Sequence, residues 1–223
     1  LPLVDVRTGE LIPTELFVGA LGASSYTFAE ASLTQELPNW LESHVRMYAY
    51  FEGVPEITVP DNLRSGIKRS CRYEPEINPS YNDLAQHYGT CVIPARVRKP
   101  KDKAKAEVAV LVAQRWILGR LRNRTFHTIH EMNQAIRELL GGLNSKVTRY
   151  LGRSRRELWQ TIDKPALKPL PVRSYEFSEW KQGTLGINYH FGFDEHFYSA
   201  PYTLIHKELW CRGTVTTIEI FYR

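Results

Sequence analysis

Apolar positions enter this chain as short runs. Leu1–Val6 and Leu16–Ala23 are separated by the turn signal Arg7-Thr8-Gly9-Glu10 and a short connector, and Thr27–Ser32 alternates in strand fashion. Three such neighbours predict an antiparallel meander. The period then changes. Leu37, Leu41, Val45 and Tyr48 recur at helical spacing up to Phe51, and Gly53 closes the segment. Ile57–Val59 reads as a short buried-type strand, Ser80–Tyr88 as a helix stopped by Gly89, and Cys91–Pro94 as another short strand. With the long helix expected from Lys103 to Leu121, the order is β-β-β-α-β-α-β-α. That is an α/β fold: a mixed sheet with helices on its faces.

The second half reads differently. Thr128 to Leu143 predicts a helix, opened by a capping box of Thr128 and Glu131 and lined by Ile129, Met132, Ile136, Leu139, Leu140 and Leu143. Ser154 caps a shorter helix that runs through Trp159. Asp163-Lys164-Pro165-Ala166-Leu167-Lys168-Pro169-Leu170-Pro171 reads as a linker, extended rather than packed. Residues 174–223 are rich in Tyr, Phe, Trp, Thr and Ile, with turns near Gly192–Glu195, Lys207 and Gly213, which predicts a small all-β domain, a barrel. The expected division is a catalytic-type core at 1–125, a helical extension at 126–162, a Pro-rich linker at 163–173 and the β-domain at 174–223.

Composition narrows the class. Of 223 residues, 43% are hydrophobic and 24% charged, which is ordinary for a globular protein and argues against disorder. The net charge of +5, with a pI near 9.1, is a mild basic bias compatible with nucleic acid. Cys71, Cys91 and Cys211 are few, odd in number and lack a CxxC, so a disulfide framework or zinc site is not expected and a reducing cytoplasm is. No apolar run approaches a membrane span and no signal peptide is visible, so no membrane partner is expected. The chain starts at Leu1, without Met, in strand-like sequence, and reads as a piece of something longer.

Two carboxylates carry the candidate chemistry. Asp61 ends the run Glu56-Ile57-Thr58-Val59-Pro60-Asp61-Asn62, where ligands gather at strand carboxyl ends in α/β sheets. A turn or cap is the bland alternative. Glu107 lies beyond Arg96, Arg98, Lys99, Lys101, Lys103 and Lys105, six cations in ten residues, just as a helix begins. A surface acid paired with Lys103 is its bland reading. Hard divalent ions take oxygen ligands, and a polyanion takes Lys and Arg. The seven histidines form no H-x3-H or HExxH pattern and read as surface or packing residues, and the five tryptophans read as core. Arg115, Arg120, Arg122 and Arg124, and Arg149, Arg153, Arg155 and Arg156, each read alone as a solvated face; together with the run at 96–105 they are expected to form a DNA-tracking surface.

These residues carry a resemblance. Val59-Pro60-Asp61-Asn62, the basic loop, and Lys-x-Lys-x-Glu107 opening a long helix resemble the second and third acids of the DDE transposase and retroviral-integrase superfamily. More closely still, Val4-Asp5-Val6-Arg7-Thr8-Gly9-Glu10, Val59–Gly66, Pro94–Lys105 and Arg115-Trp116-Ile117-Leu118 resemble the IstA transposases of insertion-sequence family twenty-one, over essentially the whole chain.

The resemblance implies a ribonuclease-H-like fold, Mg2+ or Mn2+ held by Asp61 and Glu107, and cleavage and strand transfer at transposon ends. It implies transposon-end and target DNA as partners, a dimer or higher homo-oligomer, an AAA+ ATPase helper, and a DNA-associated place in the bacterial cytoplasm. The family uses three acids. Asp5 is the early candidate, but it stands ahead of Arg-Thr-Gly, where an Asp braces a turn. In the family pattern the first acid comes earlier on the first strand, so the resemblance implies that it lies upstream of Leu1, with Asp5 as the alternative. A non-catalytic DNA-binding or assembly module, and a nuclease that cuts without joining, are the competing readings.

Overall fold

The computed structural model describes residues 1–60, 67–69, 76–93, 100–148 and 152–222, and for 67–69, 76–77 and 100–106 the backbone alone. In chain order the first unit holds β1 (Leu3–Val4), β2 (Leu11–Ile12), β3 (Glu15–Ala20), β4 (Thr27–Ser32), α1 (Leu37–Phe51), β5 (Ile57–Thr58), β6 (Ile67–Arg69), β7 (Glu76–Ile77), α2 (Pro79–Tyr88) and β8 (Cys91–Val92). Then α3 (Pro100–Ala113) passes through a π-helical turn, Gln114–Leu118, into α4 (Gly119–Leu121), followed by α5 (Ile129–Ser145) and α6 (Arg155–Leu158). The β-rich C-terminal part holds β9 (Glu179–Thr184), β10 (His190–Phe193), β11 (His196–Ser199), β12 (Glu208–Gly213) and β13 (Ile218–Phe221).

The expected three-stranded meander is not a single ladder among the described residues. β1 pairs with β2, from the connector, while β3 pairs with β4 from Glu15↔Ser32 to Ala20↔Thr27. The Arg7–Glu10 turn folds the chain back at once. Pro13 stands between β2 and β3, and it has no N–H to extend a ladder. The antiparallel pairing of β6 with β7 was not foreseen either.

Helices cover both faces of β3–β4. Tyr26 and Phe28 of the even register join Trp40, Leu41, Met47, Tyr48 and Phe51 of α1 and Tyr81, Leu84 and Tyr88 of α2 in one cluster. Ala29 and Ala31 of the odd register face Ala113, Ile117, Leu121, Met132, Ile136 and Leu140 on the helices opposite. Small side chains at 29 and 31 let that layer sit close. On the α1 side Gly19 serves the same end, since a Cβ there would lie 2.2 Å from the Met47 sulfur.

The outer backbone edge of β4 is closed by asparagines of α5. Asn133 accepts from Ala31 N–H (2.7 Å) and donates to its carbonyl (2.9 Å). Asn144 treats Thr27 in the same way, at 3.0 and 2.8 Å, and also donates to the Tyr50 hydroxyl. A primary amide offers one donor and one acceptor side by side, so each Asn stands in for a residue of a neighbouring strand. The Thr128 hydroxyl caps α5 by accepting from Glu131 N–H, but the expected reciprocal bond is displaced: the Glu131 carboxylate accepts from His127 N–H. The full box forms instead at Ser154–Glu157.

The Pro-rich segment, expected to be extended and unpacked, is helical through Lys164–Ala166, extended only from Leu167, and docked. Lys168 exchanges backbone hydrogen bonds with Val54, and Leu167 packs on the α1 cluster. Beyond it, β9, β12 and β13 form an antiparallel sheet, and β10–β11 a hairpin whose turn holds Asp194 and Glu195 at positive φ. Both pack on a common core of Leu185, Phe191, Phe193, Leu209 and Cys211. Among the described residues these ladders do not close into a barrel. The sheet is tied to α2 through one carboxylate: Asp83 Oδ2 accepts from Ser178 Oγ (2.6 Å), Arg212 Nε (3.0 Å) and the Tyr175 hydroxyl (3.3 Å).

His44 lies in the α1 cluster, its Nδ1 donating to the Trp40 carbonyl at 2.9 Å. Burial pushes its pKa from 6.5 down to about 4, against the opposing pull of that carbonyl. Above pH 6.5 the ring is neutral in folded and unfolded chain alike. As pH falls from 6.5 towards 4 the unfolded ring takes up a proton that the core refuses, so stability is lost through that window. Chemical denaturation should show a loss of about 2 kcal/mol on going from about pH 7 to about pH 5 that is absent in His44→Gln. Asn144→Ala should cost at least about 2 kcal/mol by the same assay, because both Thr27 groups lose their partner in a dry site.

Candidate active site

β5 and β8 run parallel, Ile57 opposite Cys91 and Thr58 opposite Val92. Cys91 N–H donates to Glu56 O (2.8 Å) and Ile93 N–H to Thr58 O (3.0 Å). Beneath the pair runs a chain of hydroxyls. Tyr48 of α1 meets Thr58 at 2.9 Å, and Thr58 meets Thr90 at 3.0 Å. All three side chains are buried. Burial also raises the Tyr48 phenol to about 12, so it stays a neutral hydrogen-bonding group. This chain joins α1 to both strands and fixes their relative height.

Because the strands are parallel, the chain leaves both at the same edge of the sheet. After β5 come Val59, Pro60 and Asp61; after β8 come Ile93 and the basic run that leads to α3. Asp61, Arg96, Arg98 and Lys99 lie outside the described residues. Lys101, Lys103 and Lys105 fall in the first turns of α3, and Glu107 follows on the same helix with an exposed carboxylate. α3 packs across β3. The topology therefore sends the two segments that carry the candidate acids from one edge. Among the described residues no group of three or more His, Cys, Asp or Glu is placed to hold a metal. An Asp and a Glu form an oxygen-only donor set, which suits a hard ion such as Mg2+.

Asp5 braces its turn. Its Oδ1 accepts from the backbone N–H of Arg7 (2.7 Å) and Thr8 (3.1 Å), and Gly9 completes the turn at φ 72°. The hydroxyl chain was not anticipated from sequence. Threonines on short strands carry no signal of their own; only the order of α1, β5 and β8 could have suggested that Tyr48, Thr58 and Thr90 meet.

Comparison with known proteins bears on what this arrangement serves. Residues 170–223 match the family described as "Mu transposase, C-terminal domain". The whole chain is similar to bacterial proteins that carry transposase names. It is 45% identical over 99% of its length to y4bL/y4kJ/y4tB of Sinorhizobium fredii, named as a candidate transposase. It is 41% identical over 99% to a protein of Burkholderia multivorans named as a candidate transposase for insertion sequence IS408. A fainter likeness, 23% over 76% of the chain, links it to the "Transposase for insertion sequence element IS21" of Pseudomonas aeruginosa. The chain spans 43% of the length of each of these three relatives.

Among solved structures, 99% of the chain superposes on 73% of a chain in the cryo-EM structure of the simian T-cell lymphotropic virus intasome in complex with PP2A regulatory subunit B56 gamma. The TM-score is 0.54 at 10% identity, so the likeness is one of fold. No described helix is long and apolar enough to cross a membrane.

Replacing Thr58 by Val keeps its shape and removes both hydroxyl contacts. Thr58→Val should lose about 1–2 kcal/mol in a urea titration, because the buried Tyr48 and Thr90 hydroxyls are left short of a partner.

Proposed function

We propose that this chain is the catalytic region of an insertion-sequence transposase of the DDE type, with a ribonuclease-H-like core followed by a β-domain. The observation that carries the reading is the parallel β5–β8 pair, which sends the Asp61 segment and the basic segment leading to Glu107 from one sheet edge, in a chain similar throughout to proteins named as transposases.

Asp61, which follows the strand held by the Tyr48–Thr58–Thr90 chain in sequence, and Glu107, on a helix packed across β3, would hold Mg2+ or Mn2+. Such ions supply Lewis-acid stabilisation of a leaving oxygen and activation of an attacking one. Arg96, Arg98, Lys99, Lys101, Lys103 and Lys105 grip phosphates and so position DNA without reading its bases. The substrate is the end of the mobile element, which is cut and then joined to target DNA. The protein acts as a dimer or larger assembly, with an AAA+ ATPase as helper. Asp5 is read as a turn brace rather than one of the acids; its Oδ1 accepting from the Arg7 and Thr8 amides supports that reading.

Strand transfer of a pre-cut element end by the full-length protein tests this. Asp61→Asn and Glu107→Gln should each lower joining at least about 100-fold at unchanged melting temperature, as befits the loss of several kcal/mol of charge stabilisation. Joining at the wild-type rate by both would remove the acid assignment. Cutting without joining in the wild type would make the protein a nuclease. Asp5→Asn keeps an acceptor for the turn and should join within about twofold of wild type; a collapse of joining there would place Asp5 among the acids.

A further inference from the structure

The α3–α4 rod carries a second cluster of cations, well along the helix from Glu107. An open groove of about 610 Å3 is lined by Val112, Arg115, Trp116, Gly119, Arg120 and Arg122. Arg115, Arg120 and Arg122 are exposed, and Lys146, at the end of α5, joins them over the same tryptophan. None of these four cations forms an ion pair among the described residues. Unpaired like charges in one place repel one another, so their clustering raises the free energy of the isolated chain and is relieved by an anion.

The π turn builds the groove. One extra residue in the turn brings positions five apart close to the same face, so Arg115 and Arg120 share the side on which Trp116 lies. The Trp116 indole is held from below by its N–H bond to the Leu139 carbonyl at 3.1 Å. Over its ring lie the Arg120 guanidinium, 3.5 Å from the centroid, and the Lys146 ammonium at 4.7 Å. Arg120 also donates to the Trp116 carbonyl at 3.0 Å. Arg120 and Lys146 are thus held in place before any ligand arrives, which lowers the entropy that these two lose on binding.

We infer that the Arg115–Trp116–Arg120–Arg122 groove with Lys146 is a phosphate-backbone site for double-stranded DNA, separate from the basic run before α3. It rests on the reading of the chain as DNA-processing. At 1.5 Å per helical residue the groove lies on the order of 10–20 Å along the rod from Glu107, so it grips the duplex a few base pairs from the reacting bond. Guanidinium forks over an aromatic floor, in an open groove with no acidic residue among the described residues that line it, suit a run of phosphates.

The test is binding of the full-length protein to labelled duplexes of about 20 base pairs, followed by fluorescence anisotropy without divalent metal across about 50–200 mM salt. Arg115→Gln/Arg122→Gln leaves the Trp116 stack intact. It should make the slope of log affinity against log salt less negative by about 2, equally for duplexes of unrelated sequence, with melting unchanged. Adding Arg120→Gln should take off about one more. A wild-type slope in the double variant overturns the site, as does a loss confined to one duplex sequence or a wild-type protein that binds no duplex. Asp61→Asn should keep the wild-type slope, so this inference and the acid assignment fail separately.

Discussion

Burial of both faces of β4 is the constraint from which the rest follows. A strand covered by α1 on one side and by α3–α5 on the other needs partners for its free edge, most of all at Thr27, which is buried. Asn133 and Asn144 meet that demand from α5, and in doing so they set the height and rotation of the helix against the sheet. α5 in turn supplies Leu139, whose carbonyl orients Trp116 on the π turn. On the opposite face α1 brings Tyr48 to Thr58, and so aligns β5 with β8. One strand edge thus links the core to both surfaces to which chemistry is assigned.

Much of this was legible in the sequence where a local rule and a tertiary need coincide. α1 and α2 follow the apolar period, and Gly89 sits at the positive φ its position demands. The turn expected near Gly192–Glu195 is the Asp194–Glu195 hairpin turn. The divergences share a cause. Asn133 and Asn144 look like solvent-facing positions because a polar residue turned towards a strand edge has no separate pattern. The π turn at Gln114–Leu118 inserts one residue without any Gly or Pro to announce it. The prolines around Leu167 and Lys168 predict an extended chain, which holds only from Leu167; Pro165 instead starts a 3-10 turn, a place where a missing N–H costs nothing, and Val54 offered the backbone on which Lys168 docks.

The candidate site shows the same division. Asp61 and Glu107 stood out by residue type and by the cations between them, and the parallel strands agree with a shared edge. The hydroxyl chain beneath, and the braced carboxylate of Asp5, come from three-dimensional contacts that spacing does not encode. Electrostatics is split in kind as well. Buried groups such as His44 and Tyr48 are pushed towards their neutral forms, while the surface cations of α3–α4 remain unpaired among the described residues. His44 and Tyr48 are thus neutral in the core, while the α3–α4 cations stay available to a polyanion.

The central claim is that Asp61 and Glu107 hold one metal site. Manganese titration of the full-length protein, followed by the electron paramagnetic resonance signal of the free ion, tests it most directly. The wild type should take up Mn2+ and suppress the free-ion signal, while Asp61→Asn and Glu107→Gln should each leave it in solution at the same concentrations. Uptake in both variants indistinguishable from the wild type would contradict the account.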